Sequence, residues 1–224
     1  MSREEEIRKR LESVRARITS AAERSGRNPD AITLIAVTKY TGVDDIRLLR
    51  DLGVRHFGEN RVEAAAPKIE ALAELDAVWH MIGNIQRRKT KDVLRLFDKI
   101  DAVDRHSLAE ALQNRCVELD CRAEVLVEVN VSGEAQKHGF PPQALAESLD
   151  AMAALDRLAV RGLMTMAPYG APPDRTRAIF GALADLAARF GLPELSMGMS
   201  DDFELGIEAG ATEIRVGSAL FPED

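Results

Sequence analysis

One lysine in this sequence stands where it could act as a nucleophile. The segment from Ile32 to Lys39 reads ITLIAVTK, an apolar run that closes with Thr38 and Lys39. At the mouth of an apolar barrel an ammonium group is poorly solvated, which favours the neutral amine. A neutral amine is the nucleophile that forms a Schiff base with an aldehyde or a ketone. The alternative is a lysine that extends from the strand end into solvent, and position alone leaves both open.

The C-terminal region carries residues that suit a phosphate group. Ser200 lies in the glycine-containing segment SMGMSDDFELGIEAG, and the pattern predicts that it caps a helix starting near Asp201. Helix N-termini and serine hydroxyls both bind phosphate. Gly217 permits close backbone approach after the last apolar run, and Ser218 adds a hydroxyl. With Lys39, these residues predict a phosphorylated carbonyl ligand. The competing interpretation is an ordinary cap and an ordinary turn, which the acidic residues after Ser200 would suit.

Short apolar runs alternate with helix-like stretches along the whole chain. The first 25 residues are predicted to form an amphipathic helix, which begins with the capping-box spacing of Ser2 and Glu5. Eight later runs rich in valine, isoleucine and leucine predict strands at residues 32–37, 54–57, 77–82, 99–103, 123–131, 158–163, 194–197 and 213–216. Strands separated by helices are typical of βαβ units and a parallel sheet.

Eight such units are the number that closes a (β/α)₈ barrel, which typically has roughly 250 residues. The chain has 224 residues, which tight loops can accommodate. The competing open, doubly wound sheet usually carries a glycine-rich fingerprint after its first strand, whereas ITLIAVTKYTG offers only Gly42. We therefore predict an α/β fold, a single (β/α)₈ TIM-type barrel with an extra N-terminal helix, as one domain over residues 1–224. Its active-site face would be the C-terminal ends of the strands.

Composition and charge argue against several classes of function. A formal net charge of -7 disfavours general attraction to nucleic acid or to an anionic membrane. Cys116 and Cys121 form no disulfide framework and no metal-ligand spacing, so we expect free thiols in a reducing compartment and no metal site. MSREEEIRKRL has no apolar signal core, and no run approaches membrane-spanning length. A cytoplasmic protein, monomeric or weakly dimeric, is the expectation.

Six segments, in this order, resemble the pyridoxal phosphate homeostasis proteins, small relatives of the N-terminal barrel of alanine racemase. They are ITLIAVTK, HFGENRVEA, WHMIGNIQ, VNVSGEAQKHG, GLMTMAP and LSMGMSDDFELGIEAGATEIRVGSALF. The resemblance covers nearly the full length and implies an alanine racemase N-terminal-domain-like barrel that binds pyridoxal 5′-phosphate (PLP). The sequence departs from the family pattern at Met81 and at Arg88. Arg88 belongs to the basic run Gln86–Lys91, which we interpret as a solvated helix face, with a secondary anion site as the alternative.

The resemblance implies seven cofactor-binding residues: Lys39, Asn60, His80, Ser200, Arg215, Gly217 and Ser218. Lys39 would be a buried amine that forms the Schiff base with PLP. The two serines and the glycine would hold the phosphate, and the arginine would face the pyridine nitrogen. The asparagine and the histidine would lie near the ring. A histidine within a strand is more often a satisfied core residue, which is the alternative for His80.

Three functions are compatible with these residues. The first is a non-catalytic protein that stores PLP reversibly and delivers it, with PLP-dependent apoenzymes as partners. The second is a racemase-like PLP enzyme acting on amino acids. The third is a cofactor-free Schiff-base aldolase acting on a sugar phosphate, for which Glu59 and Glu128 are the candidate proton shuttles.

The sequence argues against racemisation, which needs a second acid/base on the ring face opposite the lysine. In alanine racemases a tyrosine from a second domain supplies it, whereas this sequence ends at Asp224 and offers only Tyr40 and Tyr169. Tyr40 should point away from Lys39 if the chain is still extended there. Arg215 stays protonated, so it donates to the ring nitrogen without protonating it, which weakens carbanion chemistry. We expect the carrier, and a residual activity on amino acids stays open.

Overall fold

The computed structural model of the protein describes residues 2–221. Its eight strands are parallel and form one closed barrel in sequence order, with β8 paired to β1. The strands are β1 (Thr33–Val37), β2 (His56–Glu59), β3 (Val78–Met81), β4 (Lys99–Val103), β5 (Ala123–Glu128), β6 (Leu158–Met164), β7 (Glu194–Ser196) and β8 (Glu213–Val216). Each one overlaps a predicted apolar run, so the predicted (β/α)₈ barrel is confirmed.

One helix precedes the barrel, and one follows each of the first seven strands. The helices are α1 (Arg3–Arg24), α2 (Val43–Asp51), α3 (Val62–Ala71), α4 (Thr90–Leu96), α5 (His106–Leu119), α6 (Leu145–Ala153), α7 (Pro173–Phe190) and α8 (Phe203–Glu208). Short 3₁₀ turns occupy Pro29–Ala31, Arg87–Lys89 and Pro142–Ala144. The main core lies between the outer faces of the strands and the buried faces of these helices, which pack into one apolar cluster.

The extra N-terminal helix packs on its own barrel. At its start the Ser2 hydroxyl accepts from the Glu5 backbone N–H at 3.1 Å, and the Glu5 carboxylate accepts from the Ser2 N–H at 2.7 Å, which confirms the capping box. Its apolar face, which includes Ile7 and Leu11, is buried. The Arg17 guanidinium pairs with Glu204 of α8 at 2.8 Å. Helix α1 therefore lies against the elements that flank β8.

Smaller predictions can be compared directly with the structure. Cys116 and Cys121 are free cysteines, as expected. Most of the basic run is exposed, and Lys89 pairs with Glu63 at 2.8 Å, which agrees with a solvated surface. Within residues 2–221, no helix is both long enough and apolar enough to cross a membrane.

Candidate functional site

A cavity of about 770 Å³ opens at the C-terminal ends of the barrel strands. This is the face on which barrels of this type carry their sites. Six of the seven predicted site residues line it: Lys39, Asn60, Ser200, Arg215, Gly217 and Ser218. They come from the ends of β1, β2, β7 and β8, so closure of the barrel brings together residues that are far apart in the sequence.

Lys39 lies in a turn just beyond β1. The Thr41 backbone N–H donates to the Thr38 carbonyl at 3.0 Å, so the chain is no longer extended there. Lys39 and Tyr40 therefore both line the cavity, and the Lys39 Nζ lies 5.1 Å from the Tyr40 ring centroid. The opposite orientation of the two side chains was predicted only for an extended chain, and the turn removes that condition. Lys39 is also exposed rather than buried, which leaves its amine accessible from solvent.

The backbone before Lys39 is held by a buried polar group. The Lys68 ammonium donates to the Thr38 carbonyl at 2.6 Å and to the Glu59 carboxylate at 2.8 Å. The Thr38 hydroxyl donates to the same Glu59 oxygen at 2.8 Å. Glu59 is fully buried and does not line the cavity, because alternation along the chain turns Asn60 toward the cavity instead. This placement removes Glu59 as a proton shuttle beside Lys39.

The loops after β7 and β8 form a cradle of backbone N–H groups. The N–H groups of Gly217 and Ala219 both donate to the Ser200 hydroxyl oxygen, at 3.1 and 3.3 Å. A Cβ on Gly217 would lie 3.3 Å from the Cβ of Val37, so a side chain there would crowd the end of β1. We call Ser200, Gly217, Ser218 and Ala219 the anion cradle. Convergent backbone N–H groups of this kind bind anions.

Ser200 does not cap a helix, so that prediction is wrong. Helix α8 begins at Phe203 with Asp202 as its N-cap residue. An additional turn precedes the helix, in which the Phe203 N–H donates to the Met199 carbonyl at 2.8 Å. This turn carries Ser200 away from the helix axis and toward the loop after β8. The serine hydroxyl therefore contacts backbone N–H groups 17 and 19 positions later.

Arg215 is held rigidly at the base of the cavity. Its side chain donates to the Ser196 hydroxyl at 2.6 Å and to the Thr165 carbonyl at 2.9 Å. The residue is only 4% exposed. Burial lowers the pKa of the guanidinium from its ordinary value, while the carboxylates of Asp101 and Glu128 act in the opposite direction. An arginine remains charged under such conditions, so it presents a fixed positive charge and N–H donors to the cavity.

His80 does not line the cavity, contrary to the implied position near a cofactor ring. It is fully buried within β3, where it pairs in register with Gly58 and Lys99. Its Nδ1 lies 3.0 Å from an Asp101 carboxylate oxygen, and its Nε2 lies 2.9 Å from the His56 Nδ1. The side chain points into the barrel interior below the mouth. The alternative interpretation as a satisfied core residue describes its position.

The interior network consists of His56, His80, Lys99, Asp101, Glu194 and Glu213. The Lys99 ammonium of β4 donates to Glu194 of β7 and to Glu213 of β8, both at 2.7 Å. In the closed barrel β4 and β8 are four strands apart, so this ion pair crosses the interior. Burial alone would lower the pKa of Lys99, but Glu213 and Glu194 outweigh it and raise that pKa above its ordinary value.

The pKa values of the two interior histidines are shifted in opposite directions. Burial opposes charge on His80, but the Asp101 carboxylate outweighs it and raises the pKa of His80. Burial and the neighbouring His80 lower the pKa of His56 to about 4. A protonated His80 can therefore donate from both ring nitrogens, one to Asp101 and one to the neutral His56.

The interior network also contains a group of three residues whose side chains are of the types that bind metal ions. Ligand atoms of His80, Asp101 and Glu213 lie within 4.8 Å of one another. One oxygen each of Asp101 and Glu213 has no hydrogen-bond partner. The Lys99 ammonium is already bonded to Glu213, however, and a metal ion would have to compete with it. The arrangement favours a network of internal ion pairs.

A different set of residues lines the side of the cavity opposite Lys39. Glu128 ends β5 and is 5% exposed, and its carboxylate makes no hydrogen bond or ion pair with any other described residue. Burial and the nearby Asp104 carboxylate raise its pKa. Asp104 itself accepts from the Asn84 amide at 2.8 Å and lies 3.3 Å from His138 Nδ1.

We call Asn84, Glu128, His138 and Met166 the far wall. Sequence reasoning named only Glu128 from this wall, as a candidate for an aldolase. The other three were missed. The same sequence feature that pointed to the predicted site residues could have found these three, because each of them follows a predicted strand. The segments are WHMIGN, VNVSGEAQKHG and GLMTMAP. A longer loop separates His138 from β5, which obscures its place at the mouth.

Comparison with known proteins agrees with the fold. The family model described as alanine racemase, N-terminal domain, matches residues 10–223. The chain is 40% identical over 220 residues to the pyridoxal phosphate homeostasis protein of Aquifex aeolicus, covering 96% of each. The structure of PipY from Synechococcus elongatus with PLP bound has a TM-score of 0.83 and 35% identity, and covers 96% of this chain and 99% of that one. The same protein without PLP has a TM-score of 0.87 at 36% identity, with the same coverage.

More distant structures share the fold alone. Alanine racemase from Clostridium difficile has a TM-score of 0.76 at 15% sequence identity. The match covers 98% of this chain but only 58% of the racemase. The similarity therefore extends over one part of the larger enzyme, and at this identity it carries no statement about chemistry.

Proposed function

Because the chain belongs to the pyridoxal phosphate homeostasis protein family, we propose that it binds PLP reversibly and helps to control the free level of this reactive aldehyde. The observation that carries the proposal is the placement of the Lys39 amine and the anion cradle in one cavity. The Lys39 amine can react with an aldehyde, and the anion cradle can bind a phosphate. The PipY structure with PLP bound supports the same ligand.

The residues of the cavity fit this ligand. Two backbone N–H groups of the anion cradle already converge on one oxygen, that of the Ser200 hydroxyl. Phosphate oxygens accept from such groups, and the hydroxyl can rotate to donate to the same anion. Arg215 would present its guanidinium to the ring nitrogen, and Asn60 would lie beside the ring. We leave His80 out of the ligand contacts, because it is fully buried in the interior network.

Lys39 would hold the aldehyde end of the ligand. Its neutral amine would be the nucleophile that condenses with the aldehyde carbon, with loss of one water. Water reverses the same step, so capture and release need no oxidant and no further reactant. Lys39 is exposed, which suits a group that must meet a ligand arriving from solvent. PLP supplies only its aldehyde to this chemistry.

A non-catalytic role agrees best with the remaining residues. Tyr40 and Tyr169 line the cavity but are 88% and 93% exposed, so neither is held as a positioned acid. Arg215 donates to a ring nitrogen without protonating it, which makes the bound ring a weak electron sink. We therefore propose a carrier, contained in one barrel domain, that stores PLP and delivers it to PLP-dependent apoenzymes. An amine beside an anion cradle also suits a sugar phosphate, but the family and the PipY complex favour PLP.

The test is borohydride reduction of the purified protein after saturation with PLP, followed by intact and peptide mass analysis. Reduction converts the carbon–nitrogen double bond into a stable secondary amine. We expect one adduct, on the peptide that contains Lys39, in the wild type. The Lys91→Ala variant, which removes an exposed amine outside the cavity, should give the same result.

Lys39→Ala should abolish the adduct and leave weak binding through the anion cradle. Residual binding can be measured by equilibrium dialysis of PLP against the variant. The assignment of Lys39 would be contradicted if Lys39→Ala still formed one adduct per protein. It would also be contradicted if the adduct of the wild type were found on Lys91. Failure of the wild type to form any adduct at saturation would contradict the proposed ligand, and ketose phosphates would then be the next ligands to trap.

A further inference from the structure

We propose that the far wall is a second subsite, which binds a small primary amine, with Glu128 as the group that receives the proton of the incoming ammonium. The inference rests on the proposed function, because such an amine is the reactant that would take the captured aldehyde from Lys39. It assigns a ligand class and a role to the part of the cavity that the PLP contacts do not use.

The topology places the two reacting groups on opposite sides of one opening. Lys39 follows β1 and Glu128 ends β5, and in the closed eight-strand barrel these strands are four positions apart in either direction. Both residues line the same cavity of about 770 Å³. A volume of this size lies within the range of roughly 300–1,000 Å³ that is typical of small-molecule sites. The anion cradle and Arg215 lie on the β7–β1 side, which leaves the far wall for a second molecule.

Glu128 is a buried carboxylate that faces this space without a partner. It is 5% exposed and makes no hydrogen bond or ion pair with the other described residues. Buried charged groups are normally paired, because an unpaired one raises the free energy of the folded state. An ammonium group of a ligand is the chemical partner that such a carboxylate lacks.

The charged groups around Glu128 leave this role open. Asp104, at the end of β4, adds negative charge, and Arg215 of β8 contributes positive charge from the cavity base. In the loop after β5, the Lys137 ammonium pairs with Glu134 at 2.7 Å and donates to the Met166 carbonyl at 3.1 Å. His138 lies against Asp104. The nearby cations other than Arg215 are thus engaged elsewhere, and burial makes Glu128 a stronger proton acceptor than an ordinary glutamate.

The exchange balances without any further reactant. The incoming ammonium gives one proton to the Glu128 carboxylate and becomes a neutral amine. That amine would add to the carbon that Lys39 holds, and its two N–H protons would pass to the Lys39 nitrogen. A new carbon–nitrogen double bond would form as the bond to the Lys39 nitrogen breaks. Lys39 leaves as an amine, and the proton on Glu128 returns to solvent or to Lys39. The ligand departs joined to the small amine, and the protein regains both of its groups.

The experiment follows loss of the Lys39 adduct when ethylamine is added at pH 7.5 to PLP-loaded protein. Aliquots are reduced with borohydride over time, and the fraction of protein that carries the adduct is measured by mass. We expect Glu128→Gln to load as the wild type does but to lose the adduct at least tenfold more slowly. The matched control is Glu124→Gln, which removes a carboxylate from the other end of the same strand, outside the cavity. It should behave as the wild type, and sodium propionate should release nothing.

The pH profile separates proton acceptance from a merely structural effect. About half of a simple aliphatic amine is neutral near pH 10.5, which is about the pKa of a lysine side chain, whereas nearly all of it is charged at pH 7.5. The difference between wild type and Glu128→Gln should therefore shrink as the pH approaches that value. The inference would be overturned if the wild type and Glu128→Gln lost the adduct at equal rates at pH 7.5. It would also be overturned if the ratio of the two rates were the same at every pH. Failure of the wild type to load at all would instead overturn the proposed function.

Discussion

The barrel contains two regions that hold both lysine and glutamate side chains, and these regions are organised in opposite ways. In the interior network the Lys99 ammonium bonds to Glu194 and Glu213, both at 2.7 Å. In the cavity, Lys39 and Glu128 stand on opposite sides of the mouth. The cavity lysine has only a ring contact with Tyr40, and the cavity glutamate has no partner among the described residues.

The difference shows how residues of the same type are divided between stability and chemistry. Charged groups that pair with one another across the barrel are not available to bind a ligand. Removal of one member of such a pair leaves an uncompensated buried charge. Groups that face an open cavity without partners are available for a ligand instead. Arg215 connects the regions, because it lines the cavity and feels the carboxylates of both Asp101 and Glu128.

The largest expected effect on stability separates the two lysines. Lys99→Met leaves Glu194 and Glu213 without their cation, so we expect the free energy of unfolding to fall by about 3–5 kcal/mol. Lys39→Met removes an exposed amine, and we expect a change within about 0.5 kcal/mol. Urea denaturation of both variants measures the free energy of unfolding. The comparison requires that its dependence on urea concentration is the same in both variants and the wild type. Similar losses in the two variants would show that the regions do not differ in the way their contacts indicate.

A smaller effect concerns acid stability and the interior histidines. The pKa of His56 is lowered to about 4 in the folded protein, against about 6.5 in the unfolded chain. Below pH 6.5 the unfolded state binds this proton more readily, so His56 makes stability fall as the pH falls from 6.5 towards 4. His56→Gln should remove that contribution. The decrease in the free energy of unfolding between pH 6.5 and pH 4 should then be smaller by about 1 kcal/mol, after allowance for the partial exposure of the ring.

The measurement is the free energy of unfolding of wild type and His56→Gln at intervals from pH 8 to pH 4.5. The difference at pH 8, where histidine is neutral in both states, gives the cost of the substitution that does not depend on titration. Only the change in that difference on acidification tests His56. A difference that stays constant with pH, or that favours the wild type as the pH falls, would exclude a neutral buried His56.

Much of the fold and part of the site could be predicted from the sequence. Eight apolar runs separated by helices are enough to predict the barrel, because parallel strands need crossover helices and the count permits closure. Lys39, Gly217 and Arg215 line the cavity for the same reason, since they stand at or next to strand ends. The exposure of Lys39 could not be predicted, because it depends on a turn that begins at Thr38.

His80 and Glu128 show where sequence patterns stop being informative. Both lie in or at the end of an apolar strand, and alternation along a strand does not reveal depth in a barrel. Depth depends on the stagger between neighbouring strands, and β5 shifts register with β6 between Val125 and Leu126. Glu128 lines the cavity at the mouth, whereas His80 is enclosed in the interior beside Asp101. The hydroxyl contact of Ser200 was hidden for a related reason, since it depends on the turn before α8.

The smallest expected effect compares two carboxylates, one from each region. Glu128→Gln should leave the free energy of unfolding unchanged within about 0.5 kcal/mol or raise it slightly. It removes a largely buried charge that makes no hydrogen bond or ion pair with the described residues, and this gain offsets the lost attraction to Arg215. Glu213→Gln should lower it by about 2 kcal/mol, because the Lys99 ammonium loses one of its two carboxylates. Thermal and urea unfolding at pH 7.5 measure both. A loss in Glu128→Gln as large as that in Glu213→Gln would mean that the far-wall carboxylate supports the fold, and would remove the reason to treat it as free for a ligand.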